Sequence, residues 1–167
     1  IFDQLFGFAG WPRKKLRLQV IILADASGPV VPTSDLQAPL DFITRVFDER
    51  FDVKVVPFGH TFVQAMKDPA PDGALDYECS GAAWYDEFGT VGDFFAKHLA
   101  GWNAIPVGVR FPVTVYVTRN VEGTQGCSLG PLTDYVVIDL EGVATPSLMA
   151  HEVLHACGIW HSRTRTN

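Results

Sequence analysis

The chain lacks a hydrophobic run long enough to cross a membrane. Its longest apolar run, Val20 to Ala24, is far shorter than the about 20 residues that a membrane-spanning helix needs. The first residues also lack a basic stretch followed by an apolar one, so they do not resemble a signal peptide. We therefore expect a soluble protein or a processed piece of a larger one.

Charged residues are also few, and basic residues do not outnumber acidic ones. Charged residues make up 19% of the chain and the net charge is -6. Basic residues are scattered except near the start, at Arg13, Lys14, Lys15 and Arg17. Nucleic acid requires a basic stripe, so it is not expected as a partner. With 47% hydrophobic residues in 167, the chain is long enough for one compact domain with a substantial core.

Only three cysteines are present, at positions 79, 127 and 157. An odd number leaves at least one thiol unpaired, so the count alone does not fix the redox compartment. The sequence allows a bridge between Cys79 and Cys127. It equally allows three reduced thiols that behave as small hydrophobic residues.

Residues 1–15 form a separate aromatic segment. They carry apolar side chains at a weak helical spacing that ends at Gly10, Trp11 and Pro12. This segment either packs on the domain or is the remnant of a removed pro-segment or of an interfacial anchor. We assign residues 16–167 to the main domain, in which no repeat or low-complexity tract occurs.

The remaining pattern alternates strands and helices, which predicts an α/β fold. Apolar alternation or short apolar runs predict four strands, and spacings of three and four predict two helices before the last one. Stretches rich in Gly, Pro and Asp predict loops. The predicted strands are 16–24, 52–58, 111–118 and 135–140, the helices start at Pro39 and Thr90, and the loops are 67–81 and 122–131. The first strand is apolar enough to lie in a sheet covered on both faces.

The last helix carries the most informative pattern. Thr145 is a suitable N-cap, Pro146 fits the first helical position, and no helix breaker occurs before Gly158. At about 100° per residue, His151 and His155 project within roughly 40° of each other, one turn apart, so both imidazoles can reach one ion. Glu152 lies beside them, where a carboxylate would touch a metal-bound water and not the metal.

Gly158 favours a sharp turn that brings His161 back as a third ligand. Three histidine nitrogens and one open position are typical of a catalytic zinc site, whereas structural sites close the fourth position, usually with cysteine. The alternative is two core histidines on a helix. Met149, Ala150, Val153, Leu154 and Cys157 fall on the opposite face, which predicts that they pack into the core.

Residues 151–161, HEVLHACGIWH, fit the elongated motif HExxHxxGxxH, so the chain resembles the metzincin metallopeptidases. His161 followed by Ser162 is similar to the matrixin form of that motif. The resemblance implies a twisted mixed β-sheet with a backing helix and an active-site helix. It also implies one catalytic Zn²⁺ held by His151, His155 and His161, with Glu152 as general base in peptide-bond hydrolysis.

Two features depart from the family pattern. Metzincins place a methionine turn after the third histidine, whereas Met66 and Met149 both precede the motif. That turn is therefore either absent or lies beyond Asn167, and we expect the C-terminal subdomain to be short or missing in these residues. The helix predicted at Thr90 is additional to the simplest metzincin layout. The resemblance favours a secreted or cell-surface location, and no sequence feature indicates an oligomeric state.

Other metzincins bind an extended peptide along an exposed sheet edge, so a protein or peptide substrate is expected here. The candidate edge lies before the strand at 135–140 and consists of Gly126, Cys127, Ser128, Leu129 and Gly130. An ordinary surface loop is the alternative for this segment.

The remaining polar candidates are assigned structural roles. His60 and His98 lack ligand spacing, and Asp25 and Asp139 stand near strand ends, where they cap or pair locally. Two function classes remain: a zinc endopeptidase, or a zinc-bearing binding or assembly module with the same fold and no turnover.

Overall fold

A computed structural model describes residues 14–79, 89–98, 112–128 and 135–159. Its main sheet has the strand order β4-β1-β7-β10-β9, with β5 also pairing with β1. These strands are β1 (Lys14–Ile22), β4 (Val53–Pro57), β5 (Val63–Ala65), β7 (Val113–Val117), β9 (Gly126–Cys127) and β10 (Tyr135–Ile138). Two small two-stranded sheets pair β2 (Ala24–Asp25) with β3 (Gly28–Pro29), and β6 (Asp76–Glu78) with β8 (Asn120–Glu122).

The described helices are α1 (Gln37–Phe51), α2 (Asp72–Leu75), α3 (Thr90–His98), α4 (Leu140–Ala144) and α5 (Pro146–Ala156). A 3₁₀ turn, Thr33–Leu36, leads into α1. The alternation of strands β1–β3, helix α1, strands β4 and β5, helix α2, strand β6, helix α3, strands β7–β10 and helices α4 and α5 confirms the predicted α/β class.

All pairings in the main sheet are parallel except that between β9 and β10. The chain crosses from β1 through α1 to β4, as parallel neighbours require. β4 pairs with the first half of β1 and β5 with the second half, so the two behave as one interrupted strand. Gln19 Nε2 donates to the Phe62 carbonyl at 3.0 Å and holds the interruption against β1.

Alternating residues of β1 enter two different cores, which confirms that this strand is covered on both faces. On one face Leu18, Val20 and Ile22 belong to a cluster that includes residues of α1 and α5. On the other face Ile21 belongs to a second cluster, which includes Phe95 of α3. The sheet is therefore a central layer between helices on both sides.

The structure corrects two loop predictions. Within 67–81, where Pro, Asp and Gly suggested a loop, α2 and β6 form, because Ala74, Leu75 and Tyr77 are buried in the second core. Within 122–131, β9 forms as the antiparallel edge strand. Both elements depend on contacts with distant residues, which local composition does not register.

Residues 1–13 lie outside the described part, so the two interpretations of the N-terminal segment remain predictions. None of the helices in the described ranges is both long enough and apolar enough to span a membrane.

Candidate metal centre and active site

The ends of α5 follow from its sequence. Pro146 occupies the first turn and Thr145 the N-cap position, as predicted, but the Thr145 hydroxyl donates to the Glu141 carbonyl at 3.2 Å and does not cap α5. At the other end Gly158 adopts φ 85°, the left-handed conformation that glycine tolerates. The amides of Gly158 and Ile159 donate to the His155 and Leu154 carbonyls, each at 2.9 Å, which is the Schellman pattern.

His151 and His155 lie side by side on the outer face of α5. Their Nε2 atoms are 3.1 Å apart and the ring planes are inclined by 80°. The His155 Nδ1–H donates to the Ile159 carbonyl at 2.7 Å, because a carbonyl oxygen can only accept. In the neutral ring this leaves the His155 Nε2 lone pair directed at the shared position. The turn after α5 therefore sets the tautomer as well as the orientation of His155.

The distance between these nitrogens suits a metal ion. Two nitrogen ligands at 2.0–2.1 Å from a tetrahedral zinc are about 3.3 Å apart, close to the spacing in this pair. His161, the predicted third ligand, lies outside the described residues. In the described ranges no three His, Cys, Asp or Glu side chains gather as a possible metal group, so the structure shows the geometry of two of the three predicted ligands, His151 and His155.

Glu152 points away from solvent. Only 6% of it is exposed, and burial raises the pKa of its carboxyl, while the charge of nearby His155 acts in the opposite direction. The residue lies against Gly126 of β9: a Cβ built on that glycine would stand 3.0 Å from Glu152 Cγ and 3.2 Å from Oε1. The structure thus brings the predicted base next to the predicted substrate edge.

The predicted substrate-binding residues divide into two groups. Gly126 and Cys127 are buried in β9, the edge strand of the main sheet, and Ser128 follows it, half-buried. Leu129 and Gly130 lie outside the described residues. β9 is also anchored covalently, because Cys127 forms a disulfide with Cys79, the residue after β6. Of the two cysteine interpretations, the bridge is the correct one.

The inner face of α5 is mostly as predicted. Met149, Ala150 and Val153 are buried in the first core and Leu154 is half-buried. Cys157 is a correction: it carries a free, exposed thiol and does not belong to the core. The helix ends at Ala156, and position 157 has already passed the core and reached a surface groove.

Two features of the site had no counterpart in the sequence interpretation. The first is the Ile159 carbonyl that accepts from His155; the glycine turn before it was visible, but its effect on the imidazole was not. The second is the contact between Gly126 and Glu152, which joins residues far apart in the chain. No local spacing could have indicated it.

The other polar candidates have local roles. Asp25 Oδ1 accepts from the Ser27 amide and hydroxyl, and Asp139 caps α4 by accepting from the Gly142 amide at 2.7 Å. His98 is exposed and packs on Phe94 with a ring-centroid distance of 4.4 Å. His60 is exposed after β4.

No protein-family model matches this chain, and no curated protein matches it either. Among solved structures it is similar to metalloproteinase-II from Bacteroides fragilis, with a TM-score of 0.53 and 13% sequence identity. The similarity covers 93% of this chain but 45% of that protein, so this chain spans less than half of its length. At this identity the comparison establishes a shared metalloproteinase-like fold.

Proposed function

We propose that this chain is a zinc-dependent endopeptidase of the metzincin type. His151, His155 and His161 hold one Zn²⁺, and Glu152 is the general base. The observation that carries the proposal is the pair of Nε2 atoms 3.1 Å apart beside a buried carboxylate. The metalloproteinase-like fold supports the same conclusion, and residues 16–167 are the proposed catalytic domain.

His151 and His155 supply neutral nitrogen ligands on a rigid helix. The Ile159 carbonyl holds the His155 ring in the tautomer whose Nε2 can coordinate. Zinc bound at such a site would lower the pKa of a water molecule and polarise a carbonyl group.

Glu152 supplies the proton transfers. It follows His151 directly on α5, about 100° further round the helix, where its carboxylate would reach a water bound at the histidine pair and not the ion itself. From there Glu152 takes a proton from the attacking water and passes it to the leaving amine. Because the side chain is almost fully buried, bulk water does not compete for the carboxylate.

The substrate is a peptide or a protein segment in extended conformation. β9 pairs with β10 on one side and is the edge strand of the main sheet on the other. An extended peptide added to that edge would run past Gly126, next to Glu152. The Cys79–Cys127 disulfide supports a location outside the reducing cytosol, such as secretion or the cell surface.

Cleavage of a broad peptide library in the presence of zinc tests the proposal, with a chelator and Glu152→Ala as controls. We expect chelator-sensitive cleavage whose kcat falls by about 10²- to 10⁴-fold in Glu152→Ala, the usual contribution of a general base. Zinc binding should persist in that variant. Zinc binding without any cleavage, unchanged by Glu152→Ala, would instead establish the binding or assembly module.

Zinc binding can also be measured without peptide cleavage. Amide hydrogen exchange with and without a chelator should show loss of protection after Gly158, while β1, β7 and β10 stay protected. The sheet and its two cores do not depend on the metal, whereas His161 is the one predicted ligand beyond that glycine. Uniform loss of protection over the whole chain would contradict this placement of the ion.

A further inference from the structure

At Gly126, strand β9 packs closely against the side chain of Glu152. The Cα of Gly126 faces the Glu152 side chain, and a Cβ there would stand 3.0 Å from Cγ, 3.2 Å from Oε1 and 3.3 Å from Cδ. Such distances are shorter than ordinary van der Waals contacts, so a methyl group at position 126 would require the Glu152 side chain to shift by a few tenths of an ångström. At Gly126 the strand therefore forms a wall beside Cγ, Cδ and Oε1 of Glu152.

The glycine at position 126 is explained by the lack of room for a Cβ and not by a backbone conformation that only glycine adopts. The described glycines with positive φ are Gly28, Gly123 and Gly158, and Gly126 is not among them. Its backbone is thus open to any residue, and glycine in a strand is otherwise unfavourable. An alanine at position 126 would therefore have too little room for its Cβ beside Glu152.

β9 is held in place by contacts on both sides of Gly126. The Asp139 amide donates to the Gln125 carbonyl at 3.1 Å, and α4 approaches the same carbonyl closely, since a Cβ on Gly142 would stand 2.6 Å from it. After Gly126, the Cys79–Cys127 disulfide joins β9 to the end of β6. A strand of only two residues is fixed in this way without the support of long pairing.

We propose that Gly126 is the positioning residue for the Glu152 carboxylate, and that the Cys79–Cys127 disulfide holds this glycine in place. The helix α5 fixes the backbone of Glu152 but leaves three side-chain torsions, which the wall restricts. The histidine pair has a separate support in the Ile159 carbonyl. Movement of β9 therefore displaces the base and leaves the metal ligands where they are.

A double-mutant cycle on unfolding tests the contact without any assumption about catalysis. Gly126→Ala should lower the folding equilibrium constant roughly fivefold or more, as overpacking of a buried site does. In a Glu152→Ala background the same change should be neutral or favourable, because the clashing atoms are gone. Gly59→Ala is the matched control, since Gly59 has open space and no positive φ.

An equal loss in both backgrounds would overturn the proposal, because the clash would then lie elsewhere. If Gly126→Ala alone does not fold, recovery of folding in Gly126→Ala/Glu152→Ala supports the contact, and failure of both overturns it.

The effect on catalysis rests on the proposed function and is measured separately. Gly126→Ala should lower kcat by roughly tenfold to 10²-fold, as small displacements of a reacting group do, with little change in KM or in zinc affinity. Reduction of the disulfide should act in the same direction. Zinc affinity that falls in step with kcat would overturn the positioning role. An inactive wild-type protein would refute the proposed function, while the unfolding cycle would still decide the contact.

Discussion

The helix α5 and the edge strand β9 meet at Glu152, but they are specified in different ways. The start and stop signals of α5 lie in the helix or directly beside it, at Pro146 and Gly158, and helical spacing brings its two histidines together. The two residues of β9 obtain their position from β10, from Asp139 and from Cys79. The pair of histidines is therefore encoded locally, and the position of Gly126 beside Glu152 is encoded by distant contacts.

Because of this difference, substitutions in the two regions should destabilise different parts of the protein. Damage to the core beneath α5 should affect the whole domain, because the same side chains hold α1, α5 and the sheet together. Loss of the disulfide that supports β9 should spare that core, because Cys79 and Cys127 lie with the second core on the other face of the sheet. The following changes test this separation.

The largest effect is expected beneath the helix. Met149 is fully buried in the core shared by the sheet, α1 and α5, so Met149→Ala should lower the free energy of unfolding by about 2–5 kcal/mol. Urea unfolding measures the loss. Ser147→Ala, on the exposed side of the same helix, is the control and should change it by less than about 0.5 kcal/mol. Equal losses in both variants would contradict the assignment of Met149 to the core.

Removal of the disulfide should come next. The bridge closes a separation of 48 residues, so Cys79→Ser/Cys127→Ser should lower the free energy of unfolding by about 2–4 kcal/mol. Hydrogen exchange should show lost protection at β9 and retained protection in α5. Cys157→Ser is the control, because its exposed thiol makes no bridge. Loss of protection in α5 to the same extent would show that the two regions are not separate.

A smaller effect is expected at the turn that supports His155. Gly158→Ala places a Cβ at φ 85° and should lower the free energy of unfolding by about 1–2 kcal/mol. Gly158→Asn should cost less, since asparagine tolerates this conformation better. Thermal unfolding of both variants measures the difference. If the two substitutions cost the same, left-handed strain at Gly158 is not the cause.

The smallest effect is expected at the ion pair between Arg119 and Asp76, which links β6 to the start of β8. The hydrogen bonds from Arg119 hold the pKa of Asp76 below its ordinary value, and both side chains are more than 40% exposed, at 42% and 44%. Because the folded pKa is lowered, the pair stabilises above the unfolded value of 3.8 and its contribution is lost as pH falls through the folded pKa.

Asp76→Asn should therefore be slightly less stable than the wild type at neutral pH, and the difference should vanish in acid and shrink in high salt. Urea unfolding at two pH values and two salt concentrations measures it. A difference that persists in acid would contradict an electrostatic origin.

The sequence predicted the elements whose signals are local. α5 was expected to begin at Pro146 and to stop before Gly158, and it does; α1 buries Leu40, Ile43 and Phe47 at the predicted spacing. The strands β4, β7 and β10 fall within the predicted runs, whereas β1 begins at Lys14, two residues before its predicted start, because Lys14 and Lys15 already pair with β4. In each case the signal, an apolar pattern or a terminal proline and glycine, lies within the element or within two residues of its end.

The failures have a common physical cause. β9 has two residues and no period, so its strand conformation depends on pairing with Val137 and Ile138. α2 and β6 form in a stretch with loop composition because Leu75 and Tyr77 reach the second core. Cys157 continues the apolar face of α5 by spacing, but the helix leaves the core one residue earlier. Each error arises where a distant partner, or the limit of the core, overrides the local pattern.

The parallel pairing of β1 with β7 also bears on how the chain acquires its fold. Their register joins Leu18 to Val113, so the first strand meets this neighbour only after most of the chain is available. Contacts between such distant residues make folding slow and leave apolar strands unpaired for longer during synthesis. Because α5 packs on α1 and on β10, it docks at a late stage of assembly. The two histidines can therefore pair as soon as α5 forms, whereas Glu152 meets Gly126 only once the sheet beneath the helix has closed.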